Sequence, residues 1–171
     1  RITRMNQLLE DLLAYSRAGR NSVEAEEVDC TRLVTEISRD LLDKPEQFTI
    51  SANDLPTLTL QRVPLELCLR NLLANAIKHR QRDDGFVTVT CKTERGNAIF
   101  TVKDDGPGIS PAFHERIFEM FQTLKPHDEV EGSGMGLAVV RKLTDRLGGK
   151  VEVESEEGEG AAFRLTIPVE G

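Results

Sequence analysis

Two stretches of alternating apolar and polar residues restrict the fold of this chain most strongly. They run from Phe86 to Lys92 and from Asn97 to Lys103, the pattern of strands with one buried face. The residues Arg95-Gly96-Asn97 between them predict a tight hairpin turn. The same alternation over Val151–Ser155 and Ala162–Ile167 predicts a second hairpin. The chain is therefore expected to build an antiparallel sheet.

Helices are predicted before and between these hairpins. Asp29 or Thr31 can cap a helix over Thr31–Leu42, which Pro45 ends. Further predicted elements are short strands at Phe48–Ser51 and Thr57–Leu60, a helix from Leu65 to about Arg80 with Pro64 in its first turn, a short helix around Phe113–Phe121, and a helix over Leu137–Leu147 closed by Gly148-Gly149. The predicted fold class is an α/β (α+β) two-layer sandwich, with a mixed, mostly antiparallel sheet and helices on one face.

Composition excludes several classes of function. The 171 residues suit one domain plus a small appendage, and the net charge of −7 argues against nucleic acid or direct membrane contact as partners. Without Trp, a platform for stacking bases is not expected. Cys30, Cys68 and Cys91 are scattered, which favours a reducing cytoplasm. The chain begins without Met or an apolar signal core, so we expect a piece of a longer, non-secreted protein.

The first segment, Ile2 to about Arg17, predicts a helix with an apolar stripe at coiled-coil spacing. Two interpretations stay open for this stripe: packing on its own domain, or pairing in a dimer or helical bundle. Residues 18–27 are polar and are typical of a linker.

The helix after Pro64 carries a polar stripe beside its apolar face. On a helical wheel, Asn71 and His79 lie about 40° to either side of Asn75, and Lys78 lies close by. Amide oxygens can ligate a hard cation such as Mg²⁺, and an ammonium group can bind phosphate. The alternative interpretation is an ordinary solvated face.

Two glycine-rich segments are further candidates. Asp104-Asp105-Gly106-Pro107-Gly108-Ile109 follows a predicted strand, and its glycines allow a close approach to a flat ligand. A carboxylate beside them can accept a hydrogen bond from an exocyclic amine such as that of adenine, although a plain surface turn is the alternative.

Gly132-Ser133-Gly134-Met135-Gly136-Leu137 leads directly into a helix. It is neither the dinucleotide fingerprint nor a P-loop, yet N–H groups at a helix N-terminus bind phosphate oxygens. The alternative is a flexible linker.

The order of these segments is more specific than any one of them. The sequence resembles the ATP-binding domain of sensor histidine kinases, in the GHKL superfamily shared with gyrase, Hsp90 and MutL. Residues 71–79 resemble the N box, 104–109 the G1 box, 117–121 the F box and 132–137 the G2 box. The initial helix, with Leu12-Leu13-Ala14-Tyr15-Ser16-Arg17, is similar to the second helix of the dimerisation and phosphotransfer domain.

This resemblance implies a Bergerat-type ATP-binding fold and three parts of the chain. Residues 1–19 would belong to the dimerisation and phosphotransfer helix, 20–27 to a linker, and 28–171 to the catalytic ATP-binding domain.

The resemblance also implies the ligands, ATP and Mg²⁺, and a role for each box. Asn75 would ligate Mg²⁺ with support from Asn71, and Asp104 would hydrogen-bond the adenine amine. Residues 122–131 would form the ATP lid, anchored by Phe118 and Phe121. The implied nucleotide-binding residues are Asn71, Asn75, Lys78, His79, Asp104, Gly106, Gly108, Ile109, Phe121, Gly132, Ser133, Gly134, Met135, Gly136 and Leu137.

The histidine that accepts the phosphoryl group is missing from the implied machinery. His79, His114 and His127 lie in the N box, the short helix and the lid, and the latter two are expected at the surface. The chain is therefore expected to bind nucleotide without completing autophosphorylation. In the intact homodimer, the γ-phosphoryl group would pass to a histidine on the first dimerisation helix, then to an aspartate of a response-regulator receiver domain.

Asn71 occupies the position one helical turn before Asn75 where hydrolytic members of the superfamily carry Glu. An amide cannot act as a general base at neutral pH, which favours phosphoryl transfer over hydrolysis. Two alternatives remain: an ATP-driven conformational module similar to Hsp90 or MutL, and a non-catalytic pseudokinase or dimerisation module that keeps only the fold.

Overall fold

The computed structural model of the chain describes residues 6, 9–10, 12–13, 16–17, 24–42, 48–52, 54–79, 84–119 and 136–169. At the described positions between 6 and 17 the backbone is helical, and the rest of that predicted helix lies outside the described residues. Leu9 and Leu13 in this segment are 57% and 50% exposed. No helix within the described ranges is long and apolar enough to cross a membrane.

The described strands form two sheets. In chain order the elements are β1 (Glu26–Asp29), α1 (Cys30–Leu41), β2 (Thr49–Ser51), β3 (Thr57–Leu60), α2 (Arg62–Lys78), β4 (Phe86–Glu94), β5 (Asn97–Asp104), α3 (Gly136–Leu147), β6 (Lys150–Ser155) and β7 (Ala161–Pro168). The main sheet has the order β2-β4-β5-β7-β6, and β1 pairs with β3. Only the β2–β4 pair is parallel among these pairings, so the sheet is mixed and mostly antiparallel, as predicted.

The core lies between one face of the main sheet and the helices. Alternate residues of the central strands are buried, whereas residues of the opposite parity such as Thr90, Lys103 and Arg164 are exposed. The buried strand residues are Val87, Val89, Ala98, Phe100, Val102, Phe163, Leu165 and Ile167. Each large side chain stabilises the fold by about 1.5–3 kcal/mol when it leaves water. The two-layer sandwich predicted from the sequence is thereby confirmed.

Local signals at the helix and strand ends agree with the sequence. Asp29 caps α1, because its Oδ1 accepts the Arg32 N–H at 3.1 Å. Gly148, with a φ of +78°, ends α3 in a Schellman motif, in which the Gly149 N–H donates to the Thr144 carbonyl at 2.8 Å. Arg95 and Gly96, with φ of 52° and 79°, form the two-residue turn between β4 and β5.

Two features differ from the prediction. Glu26 and Glu27, expected in the linker, begin β1, in which only Val28 is buried. The short helix expected around Phe113–Phe121 is instead a pair of 3₁₀ turns at Pro111–Phe113 and Arg116–Phe118. The second turn ends because the backbone of Glu119 is extended, with a ψ of 152°.

Candidate functional site

Helix α2 carries the predicted polar stripe beside a face packed into the core. Asn71, Asn75 and His79 are half-buried, and Lys78 is exposed. The Asn71 amide donates to the Leu67 carbonyl at 2.8 Å, which orients its Oδ1 away from that carbonyl. The buried residues of α2 are Leu65, Cys68, Leu69, Leu72, Leu73 and Ala76. Packing of this apolar face holds the polar stripe in place beside the core.

Strand β5 delivers Asp104 to the end of the sheet. Its Oδ1 accepts the N–H of Gly106 at 2.9 Å and the N–H of Ala161 at 3.2 Å. Burial raises the pKa of Asp104 above its usual value, although the two N–H donors act in the opposite direction. The Oδ2 atom makes no hydrogen bond with any residue in the described part of the chain. The carboxylate is thus fixed through one oxygen, and the other can accept a bond from a ligand.

The loop after Asp104 is packed against the turn between β6 and β7. A Cβ at Gly108 would overlap the carbonyl oxygen of Glu156, and a Cβ at Gly160 would overlap the carbonyl of Asp104. Both glycines have positive φ, 76° and 75°. Only glycine meets both the conformational and the steric requirement at these two positions.

Ile109, at the far end of this loop, is held by both of its peptide groups. Its N–H donates to Ser155 Oγ at 2.7 Å, and His114 Nε2 lies 3.0 Å from its carbonyl oxygen. His114 is half-buried in this contact, where it packs on the loop, and the expectation of a surface residue rather than a catalyst stays a prediction.

The described parts of the three predicted segments, which for the third are residues 136–137, lie close together. A Cβ at Gly106 would lie 3.6 Å from the backbone carbonyl oxygen of His79, which places the Asp104 loop beside the end of α2. A Cβ at Gly136 would lie 3.0 Å from Asn71 Oδ1, which places the start of α3 against the middle of α2. The N–H groups at the start of α3 have no partners within the helix, and its dipole favours an anion there.

The remaining predicted residues divide into two groups. Leu137 is half-buried in the first turn of α3. The residues that lie outside the described ranges are Phe121, Gly132, Ser133, Gly134, Met135, His127 and the expected lid, 122–131.

Phe118 is a core residue, with its ring centroid 6.2 Å from that of Phe163 in an edge-to-face contact. The guanidinium of Arg141 lies over the Phe118 ring, with its central carbon 5.5 Å from the ring centroid.

Sequence reasoning missed one residue of this site, Ser155. The signal was available, because Ser155 has the inward parity of Val151 and Val153 at the end of β6 and directly precedes a glycine-rich turn. A polar residue at an inward position next to a loop indicates a specific hydrogen bond.

Comparisons with known proteins show which family the chain resembles. The family model described as "Histidine kinase-, DNA gyrase B-, and HSP90-like ATPase" matches residues 61–171. Cyanobacterial phytochrome A of Nostoc sp. is 34% identical over 172 residues, which cover 99% of this chain and 22% of that protein. Sensor histidine kinase ZraS of Salmonella typhi is 34% identical over 176 residues, covering 97% of this chain and 36% of that protein.

Solved structures show the same fold. The full-length ShkA structure in complex with AMPPNP superposes with a TM-score of 0.78 at 31% identity, covering 95% of this chain and 35% of that chain. The catalytic domain of histidine kinase ThkA gives a TM-score of 0.70 at 28% identity, covering 85% of this chain and 96% of that chain. The chain thus spans less than two fifths of the curated relatives named above and nearly all of an isolated catalytic domain. It belongs to the family of histidine kinase-, DNA gyrase B- and HSP90-like ATPases.

Proposed function

We propose that this chain is the ATP-binding catalytic domain of a sensor histidine kinase. It would bind Mg-ATP and deliver the γ-phosphoryl group to a histidine on the first dimerisation helix. The observation that carries the proposal is the convergence of the α2 amides, the Asp104 loop and the start of α3 around one site. Relatives described as sensor histidine kinases support the transferase assignment.

The Asp104 loop is proposed as the adenine end of the site. With Oδ1 occupied by two backbone donors, Oδ2 of Asp104 would accept a hydrogen bond from the exocyclic amine. Gly106, Gly108 and Ile109 form the backbone beside it, and we assign them to the wall against which the planar base would lie.

The other end of the site suits phosphates and a hard cation. The Asn75 side chain makes no hydrogen bond with the part of the protein that the structure describes, so its amide oxygen can ligate Mg²⁺. Asn71 would support that ligand one turn away. Bound Mg²⁺ would neutralise phosphate charge, and the proposed phosphate contacts are Lys78, His79, Gly132, Ser133, Gly134, Met135, Gly136 and Leu137, with Phe121 beside them.

Helix α2 offers no carboxylate base beside Asn75. Asn71 takes that place, and Glu66 is engaged with Arg62 at 3.9 Å and Arg70 at 3.4 Å. A site that positions ATP without activating water suits transfer to a remote nucleophile. This favours a kinase over a hydrolytic conformational module of the Hsp90 or MutL type.

The proposal extends to the intact protein. Leu9 and Leu13 are half-exposed apolar side chains on helical backbone, which supports pairing of this helix in a homodimer. We assign residues 1–19 to the dimerisation and phosphotransfer helix, 20–27 to the linker with its end inside β1, and 28–171 to the catalytic domain. The downstream partner would be a response-regulator receiver domain, and the location the cytoplasm.

Calorimetric titration with a non-hydrolysable ATP analogue, with and without Mg²⁺, tests the proposal. We expect binding that needs Mg²⁺ and weakens at least tenfold in Asn75→Ala and in Asp104→Ala. Asn97→Ala, at the opposite end of β5, is the matched control and should bind as wild type. No binding by the folded wild-type chain would refute the proposal, and steady phosphate release from ATP would favour the conformational module.

A further inference from the structure

The turn between β6 and β7 is tied to the loop that follows Asp104. The Gly158 N–H donates to the Pro107 carbonyl at 2.5 Å, and Gly108 and Gly160 permit direct backbone contact between the two segments. The carboxyl ends of the two segments, Ile109 and Gly160, both lie within hydrogen-bond distance of Ser155 Oγ.

The hydroxyl of Ser155 joins those ends. It donates to the Gly160 carbonyl at 2.6 Å and accepts the Ile109 N–H at 2.7 Å. One side chain therefore closes the 156–160 turn across its base and simultaneously holds the far end of the 104–109 loop.

The same peptide that Ser155 fixes also holds the Asp104 carboxylate. The Gly160 carbonyl belongs to the peptide group whose N–H is that of Ala161, and this N–H donates to Asp104 Oδ1 at 3.2 Å. Rotation of that peptide plane would move both hydrogen bonds together, because a peptide group is planar. The orientation of the carboxylate is thus coupled to the Ser155 hydroxyl through a single rigid unit.

We infer that Ser155 is a positioning residue for base selection: its hydroxyl fixes the 160–161 peptide and Ile109, and so aims the free oxygen of Asp104 at the exocyclic amine of adenine. The inference rests on the proposed function, since it assigns selectivity at the same site. Ser155 itself would touch no part of the nucleotide.

The test compares ATP with purine riboside triphosphate, which lacks the exocyclic amine, by calorimetric titration in the presence of Mg²⁺. Ser155→Ala should weaken ATP binding about three- to tenfold, the effect of one net hydrogen bond, and change binding of purine riboside triphosphate less than twofold. Ser155→Thr keeps the hydroxyl and should restore the wild-type ratio. Ser155→Cys, with weaker hydrogen bonds at similar size, replaces Ser155→Ala if that variant does not fold.

Ser38→Ala is the matched control. Its hydroxyl also donates to a carbonyl, that of Val34 at 2.7 Å, but on α1, so its loss should leave the affinity ratio unchanged. A Ser155→Ala variant with the wild-type ratio, or with equal losses for both nucleotides, would overturn the inference while ATP binding by the wild type upheld the proposed function. Absence of ATP binding by the wild type would instead refute both.

Discussion

Gly108→Ala tests whether the packing of two backbone segments shapes the site. Gly108 has a φ of +76°, and an added Cβ would overlap the carbonyl oxygen of Glu156. That carbonyl cannot retreat freely, since the turn carrying it is tied to Pro107 through the Gly158 N–H. The substitution must therefore strain the backbone and separate the two segments.

The stability lost in Gly108→Ala has two parts that control variants can separate. Left-handed backbone costs alanine about 1–2 kcal/mol, and an extra carbon in a packed contact costs about 1–3 kcal/mol more. Gly158→Ala and Gly96→Ala carry only the first part, because their φ values are 84° and 79° and no atom lies within 4 Å of the added Cβ. A chain of this size loses about 2–4 °C of Tm per kcal/mol.

Thermal and urea unfolding of the three variants measures both parts. We expect Gly108→Ala to lose about 2–5 kcal/mol, a drop of about 4–20 °C, and each control about 1–2 kcal/mol. Gly108→Ala should also weaken binding of an ATP analogue more than tenfold, whereas Gly96→Ala should bind normally. Equal stability of Gly108→Ala and Gly158→Ala would show that the predicted overlap does not exist.

Three further perturbations have definite expected outcomes. Because burial raises the pKa of Asp104, ionisation costs native stability, so Asp104→Asn should raise the Tm of the nucleotide-free chain at pH 7. This increase in Tm over the wild type should disappear at pH values below the usual carboxyl pKa. An increase that grows toward acid pH would contradict a raised pKa for Asp104. Phe163→Ala should lower the free energy of unfolding in urea by about 3–5 kcal/mol. Arg164→Ala, at an exposed position, should change it by no more than about 0.5 kcal/mol. Burial raises the pKa of Cys68 to about 12. Mass spectrometry should therefore show Cys68 unmodified by iodoacetamide at pH 8 until denaturant is added. Rapid labelling of the native chain would refute the burial of Cys68.

The parts of the fold that were predictable depend on signals within a few residues. Period-two alternation located both hairpins, and Asp29 marked the start of α1 through its own side chain. Strand β1 escaped prediction because only Val28 of its four residues is buried, and its partner β3 lies some 30 residues further along the chain. A single apolar residue carries no periodicity, so the tertiary pairing decides that strand.

The candidate site shows the same division. The residue types around Asn75 and Asp104 were evident from the sequence, since amides, glycines and a carboxylate stand in recognisable order. Contacts such as Gly136 against Asn71 join residues far apart in sequence and follow only from the packing of α3 on α2. Sequence therefore supplied the candidate residues of the site, and packing determined which of them face one another.

The two ends of the site are held by different parts of the fold, and this separation can be measured. Asp104 depends on the β6–β7 turn through Ser155 and Ala161, whereas Lys78 lies on α2 and makes no ion pair with any residue within the described ranges. Because Ser155 and Lys78 share no partner there, their effects on ATP affinity should add within about 0.5 kcal/mol in a double-mutant cycle. Ser155→Ala and Asp104→Ala act through the same carboxylate, so the double variant should bind ATP no more weakly than Asp104→Ala alone. Additive losses in that second cycle would mean that Ser155 acts on the nucleotide by a route other than Asp104. Coupling in the first cycle would mean that the proposed phosphate and adenine ends of the site are not independent.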